Sequence, residues 1–439
     1  MKANLRSRLV AVLFLVGTMT LSCGLFPTPV ATLAPTAVVP TLPAPAETAT
    51  VPASPTAVPS PLPPQASPTT PVLGPGIARL PAGQQVEITT IQMVTTTVGW
   101  AIGAVDRAGD HVLRTQDGGL TWRDVTPPEP APTGPDDIKE AIGYFDRHDP
   151  DLAWVMFLIQ GGWEVPDYAI VWHTQDGGAS WQPGYIDTAV AYEGFVPTDL
   201  VFANAINGWF LAHLGGGMHH DYVTLYSTQD GGSTWMQVIT PYDDPSGIQS
   251  CSKTGMAFAD ARNGWLTINC HGVRWNPFIL TTTDGGRTWQ EIAPALPPTA
   301  PSEADGYCGT DAPVLWSPRQ GAFILECFTL DGSTLGSSYY LFTTADGGES
   351  WQMRSAPSGS LLWTSSGPTE GFALGRTIFR TVNGGQTWTE VKQVNWDGQF
   401  SFVSPLHGWA VARSEDLIAL VRTVNGGGIW QEIQAVIAP

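Results

Sequence analysis

The stretch TQDGGSTW, residues 228–235, decides the fold, because nearly the same eight letters return six more times. The other copies are TQDGGLTW (115–122), TQDGGASW (174–181), TTDGGRTW (282–289), TADGGESW (344–351), TVNGGQTW (381–388) and TVNGGGIW (423–430). Short apolar β-formers precede each octad: HVLR, IVWH, TLYS, FILT, YLFT, TIFR and ALVR. Further upstream lies a Gly-Trp or related strand: VGWAIG, LAWVMF, NGWFLA, NGWLTI, QGAFIL, EGFALG and HGWAVA. Another short strand opens each unit, as in MAFAD (256–260) or FSFVS (400–404). Every unit therefore reads as four strands, with the octad turning the third into the fourth.

Successive octads begin 37 to 62 residues apart, which is the period of propeller blades. No unit carries a helical period of useful length. Seven such units predict an all-β chain folded as a single seven-bladed β-propeller, in which radial packing buries both faces of each sheet against its neighbours.

The octad reads as architecture. Its glycine pair supplies backbone angles closed to other residues. The carboxylate accepts hydrogen bonds from turn amides, and the Thr or Ser hydroxyl closes the network. The tryptophan packs its ring between adjacent sheets. The seven turn residues are Asp117, Asp176, Asp230, Asp284, Asp346, Asn383 and Asn425. Asparagine keeps the acceptor and loses the charge, so the last two copies preserve a turn and not a charge-based chemistry. A calcium loop needs alternating oxygen ligands and a late Glu; one carboxylate per turn, spread around a ring, predicts no metal and no cofactor.

The N-terminus reads differently. MKANLRSRLVAVLFLVGTMTLSC has a basic start at Lys2, Arg6 and Arg8, a short apolar run, and small residues leading into Cys23. It resembles a bacterial lipoprotein signal, which implies removal of residues 1–22 and lipidation of Cys23, and hence a membrane anchor outside the cytoplasm in the bacterial envelope. Residues 23–79 are rich in Pro, Thr and Ala, with Glu47 the only charge from Phe26 to Gly76. Such a segment cannot bury a core and is expected to be a disordered, extended stalk reaching up to about 150 Å. The propeller is assigned to residues 80–439.

The formal net charge is −19, and no basic stripe is present. That excludes nucleic acid as an expected partner and fits a soluble, monomeric head. Beyond Cys23, four cysteines form two pairs each 19 apart: Cys251 and Cys270, Cys308 and Cys327. In an exported chain an even number suggests disulfides. The repeat register places Cys251 and Cys308 just before first strands and Cys270 and Cys327 at the ends of second strands, facing across a hairpin. The expected bonds are Cys251–Cys270 and Cys308–Cys327.

TxDGGxTW resembles the Asp-box, or BNR, repeat of sialidases, sortilin-type receptors and related propellers, with seven copies covering the whole head. The full unit, Gly-Trp strand plus octad, looks most like the propeller of the photosystem II assembly and stability factors. That resemblance implies a seven-bladed, exported, non-enzymatic protein that binds a protein partner. The head departs from that family in being acidic, and the stalk has no counterpart in the family's role.

Recognition is expected on the face opposite the octads, formed by loops between second and third strands and by connections between blades. The long segments there are QGGWEVPD (160–167), HLGGGMHHD (213–221), HGVRWNP (271–277) and 329–338. Candidate binding residues are Trp163, Glu164, Asp167, His213, His219, His220, Asp221, Tyr242, Asp243, Trp275 and Tyr307. The aromatic members suit a sugar or peptide platform. The histidines lack zinc spacing, so no metal is assigned. A sialidase would need three converging arginines, yet Arg114, Arg380 and Arg422 share one repeat position and are spread around the ring. The expected function is binding of a protein or glycan, with no catalytic residue. A glycoside hydrolase using two carboxylates and a purely structural surface protein are the alternatives.

Overall fold

In a computed structural model, the described residues are 75–439, apart from 106–108, 132–137, 161–167, 189–193, 218–219, 243–246, 271–277, 303–305, 332–333, 364–367 and 416. The chain folds as a seven-bladed β-propeller. Each blade is an antiparallel sheet whose strands follow one another in the chain: blade 1 (87–124), blade 2 (138–187), blade 3 (196–239), blade 4 (252–292), blade 5 (306–356), blade 6 (360–393) and blade 7 (397–433). Blade 5 carries one extra two-residue strand, Val314–Leu315. First strands of neighbouring blades touch, for example Glu87–Met93 of blade 1 and Asp397–Phe402 of blade 7, so they form the inner edge.

The ring is closed by the C-terminus. Strand Val436–Ile437 adds in parallel to the outer strand of blade 1, Thr121–Asp124. On its other side it meets residues 83–86, through Gly83 N–H to Ile437 O (2.9 Å), Ile437 N–H to Gln84 O (2.9 Å) and Val86 N–H to Ala435 O (3.1 Å). A ring whose last strand is held by its first blade opens only by breaking these ladder bonds.

The Gly-Trp pairs show why the blades stack. Trp209 of blade 3 lies on Phe258 of blade 4 with centroids 3.6 Å apart and planes 2° apart. Trp154 of blade 2 lies on Phe202 of blade 3 in the same way, at 3.8 Å. Each phenylalanine also covers the glycine of its own second strand: a Cβ on Gly208 would meet the Phe202 ring at 2.3 Å. The glycine leaves room for one ring, and the neighbouring tryptophan covers its other face. Second strands are thus buried on both sides, as in Gly99–Ala104, where all six residues are buried.

The octads form one repeated network. In blade 3, Thr228 Oγ1 donates to Asp230 Oδ1 (2.8 Å) and accepts from Gly232 N–H (3.0 Å). Asp230 then accepts Thr234 N–H (2.9 Å) and the Thr234 hydroxyl (2.6 Å). Both glycines have positive φ, 77° and 96°, the region open to a residue without Cβ. In blade 6 the Asn383 amide donates to Thr387 Oγ1 (2.9 Å) while its oxygen accepts Thr387 N–H (2.9 Å), so one hydrogen bond reverses and the turn survives. In all seven octads the first glycine's N–H also donates to a carbonyl of its own blade's first turn, as in Gly231 to Ile206 O (3.0 Å) and Gly426 to Leu406 O (2.9 Å).

Both disulfides form as the register predicts: Cys251–Cys270 and Cys308–Cys327. One detail is corrected. Cys308 and Cys327 lie inside their strands, Gly306–Thr310 and Gly321–Asp331, paired directly across the ladder. The blade 5 hairpin is longer than its sequence suggests, because residues 329–331 and 334–338 continue the ladder.

Candidate functional site

On the face opposite the octads, blade 3 extends its second and third strands, Gly208–Gly217 and His220–Thr228, into a long hairpin. The connection to blade 4 folds against it: Asp221 N–H donates to Gln249 O (2.9 Å). The buried Gln249 side chain then grips both backbone groups of Val223, accepting its N–H (2.7 Å) and donating to its carbonyl (2.9 Å). This clamp positions a charged cluster.

Asp221 is its centre. One carboxylate oxygen pairs with His213 Nδ1, and the other faces Lys253 Nζ at 3.3 Å. The Lys253 side chain is only 2% exposed. Its ammonium also donates to the carbonyls of Cys251 (2.9 Å), Asp221 (3.1 Å) and Ser250 (3.2 Å). Burial alone would raise the Asp221 carboxyl. The hydrogen bond from His213 and the Lys253 charge overcome that and hold it below the ordinary carboxylate range. Asp221 therefore stays ionised at neutral pH, bridging two blades.

The other candidates separate. His220 stacks on Tyr222, with centroids 5.7 Å and planes 8° apart, and does not join Asp221. Tyr242 stands 73% exposed, and Tyr307 packs on Phe328 at 5.0 Å. Trp163, Glu164, Asp167, His219, Asp243 and Trp275 lie outside the described residues. Among the described residues no group of three or more His, Cys, Asp or Glu side chains is placed to hold a metal. Arg114 and Arg380 face different acids, Asp151 and Glu370, in keeping with their spread around the ring.

Sequence reasoning missed Lys253. Its neighbour Cys251 was the available signal: the disulfide fixes the start of blade 4 beneath the blade 3 hairpin, and a lysine two residues on must then find acceptors.

Two further carboxyls, Asp199 (half-buried) and Asp311 (exposed), have raised pKa values. Asp199, on the first strand of blade 3 (Val196–Phe202), is pushed up to about 6 by burial, against a backbone hydrogen bond from Met256. Asp311, just after the first strand of blade 5, is raised by burial and then by the charge of Glu326. Glu326 itself accepts the Tyr339 hydroxyl at 2.5 Å.

No protein-family model matches the chain, and no curated protein matches it. Solved structures do. A puromycin-hydrolysing peptidase of Mycobacterium tuberculosis is similar over 82% of this chain and 57% of its own, at 12% identity and a TM-score of 0.50. The chain thus spans little over half of that protein. YCF48 bound to D1 peptide is similar over 80% of this chain and 99% of its own, at 16% identity and a TM-score of 0.47. A polysaccharide lyase of family PL25, an ulvan lyase, is similar over 81% and 86%, at 10% identity and 0.44. Likenesses this remote concern the fold alone, since one propeller serves binders and enzymes of several chemistries.

Proposed function

We propose that the chain is an extracytoplasmic recognition protein, held to the bacterial envelope by a lipid on Cys23, whose propeller binds a protein or glycan partner. Its resemblance to the photosystem II assembly and stability factors implies the exported, protein-binding part of this role, and the lipoprotein-like signal implies the anchor. The observation that carries it is the Asp221 cluster. An ionised carboxylate fixed by His213 and Lys253 makes a preorganised polar surface, suited to recognition more than to proton transfer. His213, still 37% exposed in its side chain, presents the cluster to solvent.

The test is capture from the native envelope by the full chain, run beside a glycan array. Saturable binding of one species, weakened at least tenfold by Asp221→Asn, supports this reading. Binding that neither saturates nor responds to that substitution overturns it.

A second reading has its own support. A carboxyl pushed up to about 6, as at Asp199, suits the general acid of a glycoside hydrolase. Turnover of an arrayed sugar that Asp199→Asn abolishes would replace binding by catalysis.

A further inference from the structure

Residues 75–80, which lead into the propeller, are tied to the rim of blade 1. Ile77 N–H donates to Glu129 O (2.9 Å) and Ala131 N–H to Pro75 O (2.8 Å). Leu80 N–H and Arg79 Nη1 both donate to the Asp124 carboxylate, at 2.9 and 2.8 Å, and that side chain is only 4% exposed. Between these two fastenings the Ala78 carbonyl oxygen meets the ring of His111, 3.1 Å from Nε2.

His111 opens the third strand of blade 1, His111–Thr115, and is buried. Its other nitrogen, Nδ1, lies 2.6 Å from Asp110 Oδ1. A carbonyl and a carboxylate both accept, whereas a neutral imidazole has one N–H to give. Both contacts are hydrogen bonds only when a second proton is present. The site therefore holds one proton more than a neutral ring beside a carboxylate.

The surrounding charges agree with this. Asp124 Oδ2 stands 3.8 Å from Nε2. Glu140 of blade 2 lies beside the preceding Gly109, and Glu87 beside Gly103, the ladder partner of His111. Arg79, bound to Asp124, is the cation that opposes these acids. Burial works against a charged ring. The hydrogen bonds to Asp110 and Ala78 and the charges of Asp110 and Asp124 outweigh it, so the His111 pKa is raised above its ordinary value.

We propose that His111 is a pH-operated latch on the N-terminal lead: with both ring nitrogens carrying protons it holds Ala78, and loss of one proton releases it. When that proton leaves, the remaining N–H stays with Asp110, because a charged acceptor binds it more strongly than a carbonyl. Nε2 then turns a lone pair toward the Ala78 oxygen, and two acceptors at that distance repel. The positive charge that offset Asp110 and Asp124 is lost as well. Ala78 is the contact that yields, and the lead loosens where residues 23–74 join the head. The fastenings at Glu129 O and Asp124 are weakened and not cut, so the change is a local opening. Because folding raises this pKa, the latch is fully made below about pH 6.5 and is lost as pH rises through the folded value.

The test follows amide exchange by mass spectrometry in the full chain from about pH 6 to 9, corrected for the intrinsic pH dependence of exchange. Exchange of the histidine ring protons in the same samples reports where His111 titrates. It should titrate above about 6.5, and protection of the Ile77 and Leu80 amides should fall roughly threefold or more through that titration. Amides of the second strand, Gly99–Ala104, should not change with it. His111→Gln should abolish the step. Asp110→Asn, which keeps the ring and removes its charged partner, should move the step to lower pH. A step that persists in His111→Gln or stays in place in Asp110→Asn overturns the proposal. So does protection that is indifferent to pH in the parent, or a His111 that titrates below about 6.5.

Discussion

The indole N–H of Trp409 in blade 7 donates to the carbonyl of Gly118 in blade 1 at 2.9 Å, joining residues 291 apart in the chain. The same latch runs from Trp154 to Gly231 (2.7 Å) and from Trp209 to Gly285 (2.9 Å). Each acceptor is the first glycine of an octad in the next blade. Its N–H is already tied to its own blade, so one peptide of the octad serves two blades. Between blades 1 and 2, Trp100 reaches Pro150 O instead (3.0 Å), and Arg114 and Arg123 take the Gly177 carbonyl.

Removing one latch should show its strength. Trp409→Phe keeps an aromatic ring but leaves the Gly118 oxygen without its donor, at a cost of about 1–3 kcal/mol beyond the lost area. Trp363→Phe is the control, because that indole N–H is buried with no hydrogen-bond partner among the described residues. Urea midpoints of the two variants should differ by the hydrogen bond. Equal losses would mean the latch contributes nothing net.

The ring is unevenly fastened. Blades 5 and 6 carry Ala322 and Phe372 where the latch tryptophan stands in the other blades, and the octad indole N–H groups of Trp351, Trp388 and Trp430 are buried with no hydrogen-bond partner among the described residues. In contrast, Trp122, Trp235 and Trp289 each donate to a glycine carbonyl of their own octad. Amide hydrogen exchange should therefore find lower opening free energies in blades 5 to 7 than in blades 1 to 4. Uniform protection around the ring would refute this.

Acid should act on the Asp turns and spare the Asn turns. Hydrogen bonds from the Ser180 hydroxyl and amide lower Asp176 to about 2. At Asp117, Asp230 and Asp284 burial opposes the shift, and the hydrogen bonds from the turn outweigh it. A carboxyl lowered by folding adds stability that is complete above its unfolded pKa, about 4, and is lost as pH falls towards its folded value. Asn383 and Asn425 titrate nothing there. Asp230→Asn should flatten the loss of stability between pH 4 and 2 while reducing stability at pH 7 by about 1 kcal/mol or less. An unchanged acid limb would show that the turn carboxylates do not govern it.

Asp199 should have the opposite sign. It occupies the position that Gln399 holds in blade 7, three residues before Phe202 and Phe402 respectively. Gln399 both accepts Ile91 N–H (2.9 Å) and donates to Ile91 O (2.9 Å) in the neighbouring blade. Ionised Asp199 can only accept, from Met256. Because folding raises its pKa to about 6, the native state binds the extra proton, and stability falls as pH rises from about 4 to 6. Asp199→Asn supplies a donor and removes the charge. It should raise stability at pH 7 by about 1 kcal/mol and abolish that slope. A variant less stable than the parent at pH 7 would count against it.

The octads, the Gly-Trp strands and the disulfide partners were legible because each depends on local geometry. Paired glycines fix a turn, an alternating pattern fixes a face, and equal register puts Cys251 opposite Cys270. The blade 5 hairpin was less legible, since polar residues such as Ser337 and Ser338 extend a ladder without an apolar pattern to announce it. At the candidate site, the sequence offered His213, His219, His220 and Asp221 together, without saying which would meet. Strand pairing brings His213 to Asp221 and turns His220 to Tyr222, because neighbouring residues on a strand point to opposite faces.

Sequence by itself determined the number of blades, the turn chemistry and both cross-links, since these repeat within reach of a few residues. Only the tertiary structure decided which charges meet. Lys253 reaches Asp221, and Arg123 joins Arg114 on Gly177, because blades stacked around a ring bring together residues that no local period relates. Coulomb energy depends on that separation in space and not on distance along the chain.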